Sequence, residues 1–146
     1  PSVAKSVTNL GGVLQALGDL PGAKAHFERA LRINEETYGP DHPDVAKSVS
    51  HIGGILYALG DLPGAKAHFE RALKIGEKNY GPSHPMVATN HNNLGLVLYK
   101  LGDLLGAKKN YKQALKIAKK VYKPDHPTMK LIRDTLKLVN TELNSQ

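Results

Sequence analysis

The stretch GDLPGAKAHFERAL at residues 18–31 decides the fold, because it occurs intact again at residues 60–73. It returns a third time, as GDLLGAKKNYKQAL, at residues 102–115, so the spacing is 42 residues each time. A period between about 20 and 50 residues is typical of stacked repeat arrays, in which each repeat contacts only its neighbours. We therefore expect a repeat array, an architecture that commonly serves binding.

The repetition divides the chain into three repeats and a remainder. Residues 3–44 and 45–86 are identical at 31 of 42 positions, and residues 45–86 and 87–128 at 21 of 42. We place the repeats at residues 1–42, 43–84 and 85–126, followed by a final segment at 127–146. The chain opens on a proline in register with the first residue of each later segment. We expect it to be a segment of a longer protein, cut at a repeat boundary.

Each repeat is predicted to form two helices. The first helix is marked by apolar residues at alternating steps of four and three, which form a single stripe. In the first repeat they are Val3, Val7, Leu10, Leu14 and Leu17.

The second helix of each repeat has clear start and stop signals. Gly18 ends the first helix, Asp19 is a good N-cap, and Pro21 falls in the first turn, where its missing N–H costs little. The helix ends near the sequence YGP at residues 38–40, and Pro43 opens the next helix. The short connections favour antiparallel packing. We predict an all-α, right-handed α-solenoid with seven helices.

Small and large apolar residues recur at fixed spacing across the helix pairs. They are Leu10, Gly11, Leu14, Ala23, Phe27 and Ala30, then Ile52, Gly53, Leu56, Ala65, Phe69 and Ala72, then Leu94, Gly95, Leu98, Ala107, Tyr111 and Ala114. A glycine inside a helix costs roughly 1 kcal/mol against alanine, so close packing by the aromatic ring is expected to offset that cost.

This motif resembles the tetratricopeptide repeat, L-G-x-x-Y … A-x3-F-x2-A, over residues 1–128. Val7, Val49 and His91 stand at the position usual for tryptophan, and the period is 42 residues instead of the usual 34. The extra residues fall at the end of the second helix and in the YGPDHP loop, as in the repeats of kinesin light chain and many prokaryotic members.

The resemblance implies a concave groove, lined by the first helix of each repeat, that holds an extended peptide. We call the eleven candidate residues the groove face: Lys5, Asn9, Gln15, Lys47, Ser50, His51, Tyr57, Asn92, Asn93, Tyr99 and Lys100. Asn9 and Asn93 match a position that bonds the peptide backbone in the family, and His51 replaces that asparagine. The alternative is a solvated face with no specific role.

The two lysines of the groove face match positions that engage carboxylates in the family. They are Lys5 and Lys47, whereas Thr89 stands at the equivalent position of the third repeat. The resemblance therefore implies a protein or peptide partner with acidic character, without a full two-carboxylate clamp.

The net charge of +7 is concentrated in the third repeat, where residues 86–127 carry eight basic and two acidic groups. Four lysines step by four along its second helix. This lysine stripe consists of Lys108, Lys112, Lys116 and Lys120. Such a stripe could bind an acidic partner or nucleic acid, but few aromatic residues accompany it for base stacking, so we disfavour nucleic acid.

The final segment begins like a fourth first helix. Its apolar stripe is Met129, Ile132, Leu136, Val139 and Leu143. Lys137 stands where the other repeats have glycine, so the opposite side is polar, as a terminal cap requires. We predict a capping helix at residues 127–146.

Several function classes are disfavoured by composition. The chain has no cysteine, and its seven histidines lack metal-ligand spacing, so we expect neither metal nor cofactor. No nucleophile–base constellation is visible, so we expect no enzyme. No apolar run approaches the roughly 20 residues that span a bilayer, which predicts no membrane partner and a cytoplasmic location.

Two readings of the array remain open. One is a peptide-binding scaffold, and the other is a structural spacer without its own ligand that associates end to end. We expect a monomer in dilute solution, with head-to-tail contacts at high concentration, because such contacts need not close.

Overall fold

The structure is a computed structural model that describes residues 2–146, with the side chains of residues 3–146. Within that range the chain forms seven α-helices and no strand, as predicted. They are α1 (Ser2–Ala16), α2 (Leu20–Tyr38), α3 (Pro43–Leu59), α4 (Leu62–Tyr80), α5 (Pro85–Lys100), α6 (Leu104–Val121) and α7 (Pro127–Asn144). The chain divides into two compact units, and the division falls within α4. The first unit ends at Ile75, and the second unit is Gly76–Gln146.

The predicted signals at the start of α2 are all present. Gly18 adopts a positive φ of 86°, which ends the preceding helix at low cost because glycine has no side chain. The carboxylate of Asp19 then accepts a hydrogen bond of 3.0 Å from the backbone N–H of Gly22. Equivalent bonds from Asp61 and Asp103 start α4 and α6. The shared block therefore encodes the same corner three times.

The histidine of each inter-repeat loop starts the following helix. His42 Nδ1 accepts a hydrogen bond of 3.1 Å from the backbone N–H of Asp44, and its ring stacks on Tyr38 at 4.1 Å between centroids. His84 and His126 make the same two contacts in their repeats. These three histidines therefore act as N-caps of α3, α5 and α7. The additional residues of the 42-residue period thus build a capped, ring-stacked corner.

The predicted close packing of glycine against an aromatic ring is confirmed in both units. A Cβ atom added to Gly53 would lie 3.0 Å from Phe69 Cε1, and one added to Gly95 would lie 2.9 Å from Tyr111 Cε1. Phe69 and Tyr111 are both buried. In each helix pair, one aromatic ring therefore packs directly against the backbone of a glycine. A larger side chain at the glycine position would displace the ring.

The apolar stripe predicted for α1 is buried only in part. Leu10 and Val13 are 49% and 54% exposed, whereas their equivalents in α3, Ile52 and Ile55, are 2% and 0% exposed. Helix α3 packs against α2 of the preceding repeat. We call the uncovered residues the exposed apolar edge: Val3, Leu10, Val13 and Leu17.

Helix α7 buries one side and exposes the other. Met129 and Ile132 pack with Ala114 and Ala118 of α6 in one apolar cluster. Lys137 lies on the exposed part of the helix. This distribution is compatible with the predicted capping helix, which stays a prediction.

Candidate functional site

A cavity of about 420 Å³ opens beside α1 and α3 in the first unit. Its volume falls in the range of small-ligand and side-chain sites, roughly 300–1,000 Å³. We call it the first cavity, and its lining residues are Ala4, Lys5, Thr8, Asn34, Asp44, Lys47, Ser48 and His51. Three residues of the predicted groove face, from two different repeats, are therefore brought together in it.

The charge of the first cavity is positive. Lys5 and Lys47 are exposed, and among the described residues neither has an ion-pair partner. Asp44 is the acidic residue of the lining, so the two ammonium groups leave an excess of one positive charge. An anionic group that enters the cavity would meet two cations whose hydrogen-bond donors are not committed elsewhere.

Two buried polar side chains contribute to the wall of this cavity. Asn34 Nδ2 of α2 donates to Ser48 Oγ of α3 over 3.4 Å, and Ser48 Oγ donates to the backbone carbonyl of Asp44 over 3.3 Å. Asn34 and Ser48 are 7% and 2% exposed. Because buried polar groups are costly unless they are paired, this chain of bonds holds the wall in one arrangement.

His51 is held by an aromatic contact at the edge of the first cavity. Its ring stacks on the buried ring of Phe27, with 4.7 Å between centroids and 25° between planes. Desolvation lowers the pKa of His51 from its ordinary value, and the positive charge of Lys47 lowers it further. The imidazole is therefore neutral at neutral pH, and an approaching anion would favour its protonation.

A second cavity, of about 450 Å³, shares His51 with the first cavity. Its lining residues are Thr8, Asn9, Gly12, Val13, Gln15, Ala16, Phe27 and His51. A Cβ atom added to Gly12 would meet no atom within 4 Å, so this glycine leaves open space at the cavity wall. Asn9 and Gln15 are exposed. The two cavities together contain five of the predicted residues.

The remaining predicted residues of the first unit lie outside both cavities. Ser50 and Tyr57 are half-buried side chains of α3 and line neither cavity. Sequence reasoning in turn missed Asn34 and Ser48. A signal was available for Asn34, because the equivalent positions of the later repeats hold glycine and alanine.

In the second unit, the groove face lies on α5 and has a different chemistry. Asn92 and Asn93 are half-buried, and Lys100 is exposed in the last turn of the helix. The hydroxyl of Tyr99 donates a hydrogen bond to Glu142 Oε1 of α7. This bond raises the pKa of Tyr99, and desolvation and the charge of Glu142 act in the same direction.

One acceptor of the second unit has no hydrogen-bond donor. Asn92 Oδ1 is buried and has no partner among the described residues. A buried acceptor without a donor costs roughly 1–3 kcal/mol.

The four lysines of the lysine stripe lie on α6, as predicted. Lys112, Lys116 and Lys120 are exposed, and Lys108 is half-buried. Their ammonium groups have no ion-pair partner among the described residues.

Sequence comparison identifies the family. Two models of the tetratricopeptide repeat match the chain, one over residues 44–120 and 86–144 and the other over residues 3–44. The chain therefore belongs to the tetratricopeptide repeat family. Repeat proteins of this kind commonly act as protein-interaction scaffolds.

Structural comparison supports the same fold. The chain is similar to BtubC (BKLC) from P. vanneervenii, with a TM-score of 0.79 and 19% identity over 98% of this chain and 65% of that one. A Podosopora anserina protein described as a kinesin light chain with nearly identical TPR-like repeats gives 0.85 and 22%, over 95% of this chain and 66% of that one. The apo form of RapI gives 0.86 and 20%, over 97% of this chain and 50% of that one. At these identities the likeness shows the fold alone.

The compared proteins are longer than this chain, which spans 65%, 66% and 50% of their lengths. A search of curated protein sequences gave no match. Among the described residues, no helix is long and apolar enough to cross a bilayer. Nor does that part of the chain contain a group of three His, Cys, Asp or Glu residues placed to hold a metal ion.

Proposed function

We propose that the chain binds an extended protein segment with acidic side chains through the groove face. The first cavity receives a carboxylate between Lys5 and Lys47. His51 and Asn9 flank that position from the two cavities. Partner binding without catalysis or a cofactor is the function that we infer, and a cytoplasmic location stays a prediction from composition.

One observation carries this proposal: two lysines from successive repeats line a single cavity and have no acidic partner of their own. Lysines on a solvated helix surface commonly form i,i+4 pairs, as Lys24 does with Glu28 over 3.0 Å. Lys5 and Lys47 have instead a cavity of ligand size between them and a surplus of positive charge. An acidic side chain would supply the missing countercharge.

The second unit supports the proposal through its neutral polar groups. Asn93 occupies the register of Asn9 and His51, and it could bond a peptide backbone, which offers an N–H and a C=O at every residue. Lys100 adds a cation at the end of α5. The expected ligand therefore has an acidic side chain at the first unit, and its side chains at the second unit are not restricted to one type.

The test is a titration of an acidic peptide library against the wild-type chain and two variants. Lys47→Ala and Asn93→Ala should each weaken the best binder, by about tenfold for the charged contact. The matched control is Lys66→Ala on α4, which removes a lysine outside both cavities. If affinity for the best binder is unchanged in both groove variants, the assignment is wrong.

The alternative function is end-to-end stacking of copies, in which a second copy would cover the exposed apolar edge of α1. Its residues are about half exposed or more, whereas Ile52 and Ile55 show that the same register is buried when a neighbouring repeat covers it. Burial of such residues contributes roughly 25 cal/mol per Å². We still expect a monomer in dilute solution, because head-to-tail contacts need not close.

Sedimentation velocity over a wide concentration range distinguishes the peptide-binding scaffold from the end-to-end array. If the chain is a scaffold, we expect a monomer throughout the dilute range, and Leu10→Gln with Leu17→Gln, which lie outside both cavities, should leave peptide binding intact. A tight dimer that is lost in this double variant would favour the structural array.

A further inference from the structure

We propose that the outer face of α6 is a second docking surface, distinct from the groove face, for an acidic protein segment that carries an apolar residue. We call it the basic face, and it consists of Lys108, Lys109, Lys112, Lys116, Lys119 and Lys120, with Leu105 at its beginning. The proposal for the basic face and the proposal for the groove face are independent of each other.

The residues of the basic face lie on one side of the helix. At 3.6 residues per turn, the six lysines fall within an arc of about 120°, and they extend over about 18 Å of the helix axis. The opposite side of α6 is buried through Ala107, Tyr111, Ala114 and Ile117. Six ammonium groups are thus presented on one continuous strip of surface.

The equivalent face of α2 carries charges of both signs, with Lys24 and Arg32 beside Glu28, Glu35 and Glu36. Glu28 forms an ion pair of 3.0 Å with Lys24, and Glu35 forms one of 3.2 Å with Arg71 of α4. In α6 these two glutamate positions hold Lys112 and Lys119. The third repeat therefore lost the acidic members of the face as well as gaining lysines.

This arrangement has an energetic cost within the helix. Like charges at i,i+4 repel each other and destabilise a helix, and the lysine stripe contains three such steps. No described acidic residue forms an ion pair with any of these lysines. A negatively charged partner would remove the repulsion and add attraction at the same positions.

Leu105 indicates which kind of acidic partner fits. Its side chain is 72% exposed, and it stands where the other two repeats have proline. It lies on the same side of the helix as Lys109 and Lys112, at spacings of four and seven residues. An acidic protein segment with an apolar side chain could contact the leucine and the lysines together.

The other anionic partners fit this surface less well. The face has no arginine for bidentate bonds to bases or phosphates, and no aromatic residue on which bases could stack. A membrane-binding helix inserts an apolar face into the lipid, and the apolar side of α6 is buried in the fold. These partners are outcomes of the test.

Fluorescence titration with two synthetic helical peptides of about five turns tests the proposal. Both carry glutamate at every fourth position; one has leucine near one end, and the other has serine there. We expect both to bind at low salt and to weaken steeply as salt rises, with the leucine peptide about fivefold tighter.

Matched variants assign the binding to the basic face. Lys112→Glu with Lys119→Glu restores the residues of α2 and should weaken both peptides by about tenfold or more. Lys130→Glu with Lys137→Glu on α7 changes the net charge equally and should have little effect. Leu105→Ala should abolish the preference for the leucine peptide.

Three results would overturn the proposal. They are an absence of peptide binding at low salt, equal loss of binding in the α7 control, and tighter binding of duplex DNA or phosphatidylserine vesicles to the same lysines. Retained peptide binding in Lys47→Ala with Asn93→Ala separates this surface from the groove face. Circular dichroism should show that all variants remain folded.

Discussion

The groove face of the first unit carries two lysines and lines two cavities, whereas that of the second unit carries one lysine and is partly engaged by α7. Lys5 and Lys47 surround an open volume in the first unit. In the second unit, Tyr99 already donates its hydroxyl hydrogen bond to Glu142. Both faces stand on the same glycine-on-ring packing. The difference shows that the shared residues build the scaffold and that the divergent residues set the binding chemistry.

The largest expected effect comes from removing the scaffold on which the comparison depends. Phe69→Ala should lower the free energy of unfolding by about 3–5 kcal/mol, because the buried ring leaves a cavity against Gly53. Urea denaturation measures the loss. Glu70→Ala, at the exposed neighbouring position, is the control and should change stability by less than about 0.5 kcal/mol. A small effect at Phe69 would mean that the ring is not the main support of the helix pair.

Charge reversal sharpens the contrast between the two groove faces. Lys5→Glu with Lys47→Glu should weaken binding of an acidic peptide by about 30-fold, since attraction becomes repulsion at the first cavity. Lys100→Glu on α5 should weaken it by about threefold or less. Calorimetric titration at constant salt gives both values. Equal losses in the two variants would contradict a cationic site confined to the first unit.

Two adjacent glycines of α3 separate the scaffold from the groove floor. Gly53→Ala should destabilise the fold by about 1–2 kcal/mol, because the added Cβ would meet Phe69 at 3.0 Å. Gly54→Ala should stabilise it by up to about 1 kcal/mol, since nothing lies within 4 Å of its added Cβ and alanine favours the helix. Thermal melting compares them. The same sign in both variants would show that packing does not distinguish these positions.

The smallest expected effect is a pH dependence confined to the first unit. Burial and Lys47 lower the pKa of His51, so the folded chain holds this proton less tightly than the unfolded chain. Its contribution to stability is therefore present above the unfolded pKa of about 6.5 and is lost as pH falls through the folded pKa.

For an acidic ligand the expected pH dependence has the opposite direction. The ligand favours protonated His51, so affinity should rise by about threefold between about pH 7.5 and 5.5. The charged groups that line the cavity with His51 are Lys5, Lys47 and Asp44. His51→Asn, which restores the residue of the other repeats, should remove the rise. A rise that persists in this variant would assign it to another group.

The sequence predicted most of the fold because its strongest signals are local. Three of these signals depend on residues close in sequence and recur in each repeat. They are the N-cap at Asp19, the helix end at Gly18 and the aromatic ring that packs on Gly11. The burial of α1 could not be predicted in the same way, because exposure depends on what covers a helix. Leu10 and Ile52 match in sequence register, but Leu10 is exposed and Ile52 is buried.

The candidate site was predicted in part. Lys5, Lys47 and His51 follow from the register of the first helices, and the structure brings them to one cavity. Asn34 and Ser48 were missed because they come from opposite sides of a repeat boundary, where pairing depends on the packing of α2 against α3. The contact of Tyr99 with Glu142 was missed for a similar reason, since it links α5 to the terminal helix.

We propose above all that the first cavity binds an acidic side chain of the partner. The most direct measurement is to map amide and side-chain NMR shifts while the best acidic peptide is added to the labelled chain. We expect the largest shifts at Lys5, Lys47 and His51, with the imidazole signals of His51 moving toward those of the protonated form. Shifts confined to α6, or spread evenly over the surface, would contradict it.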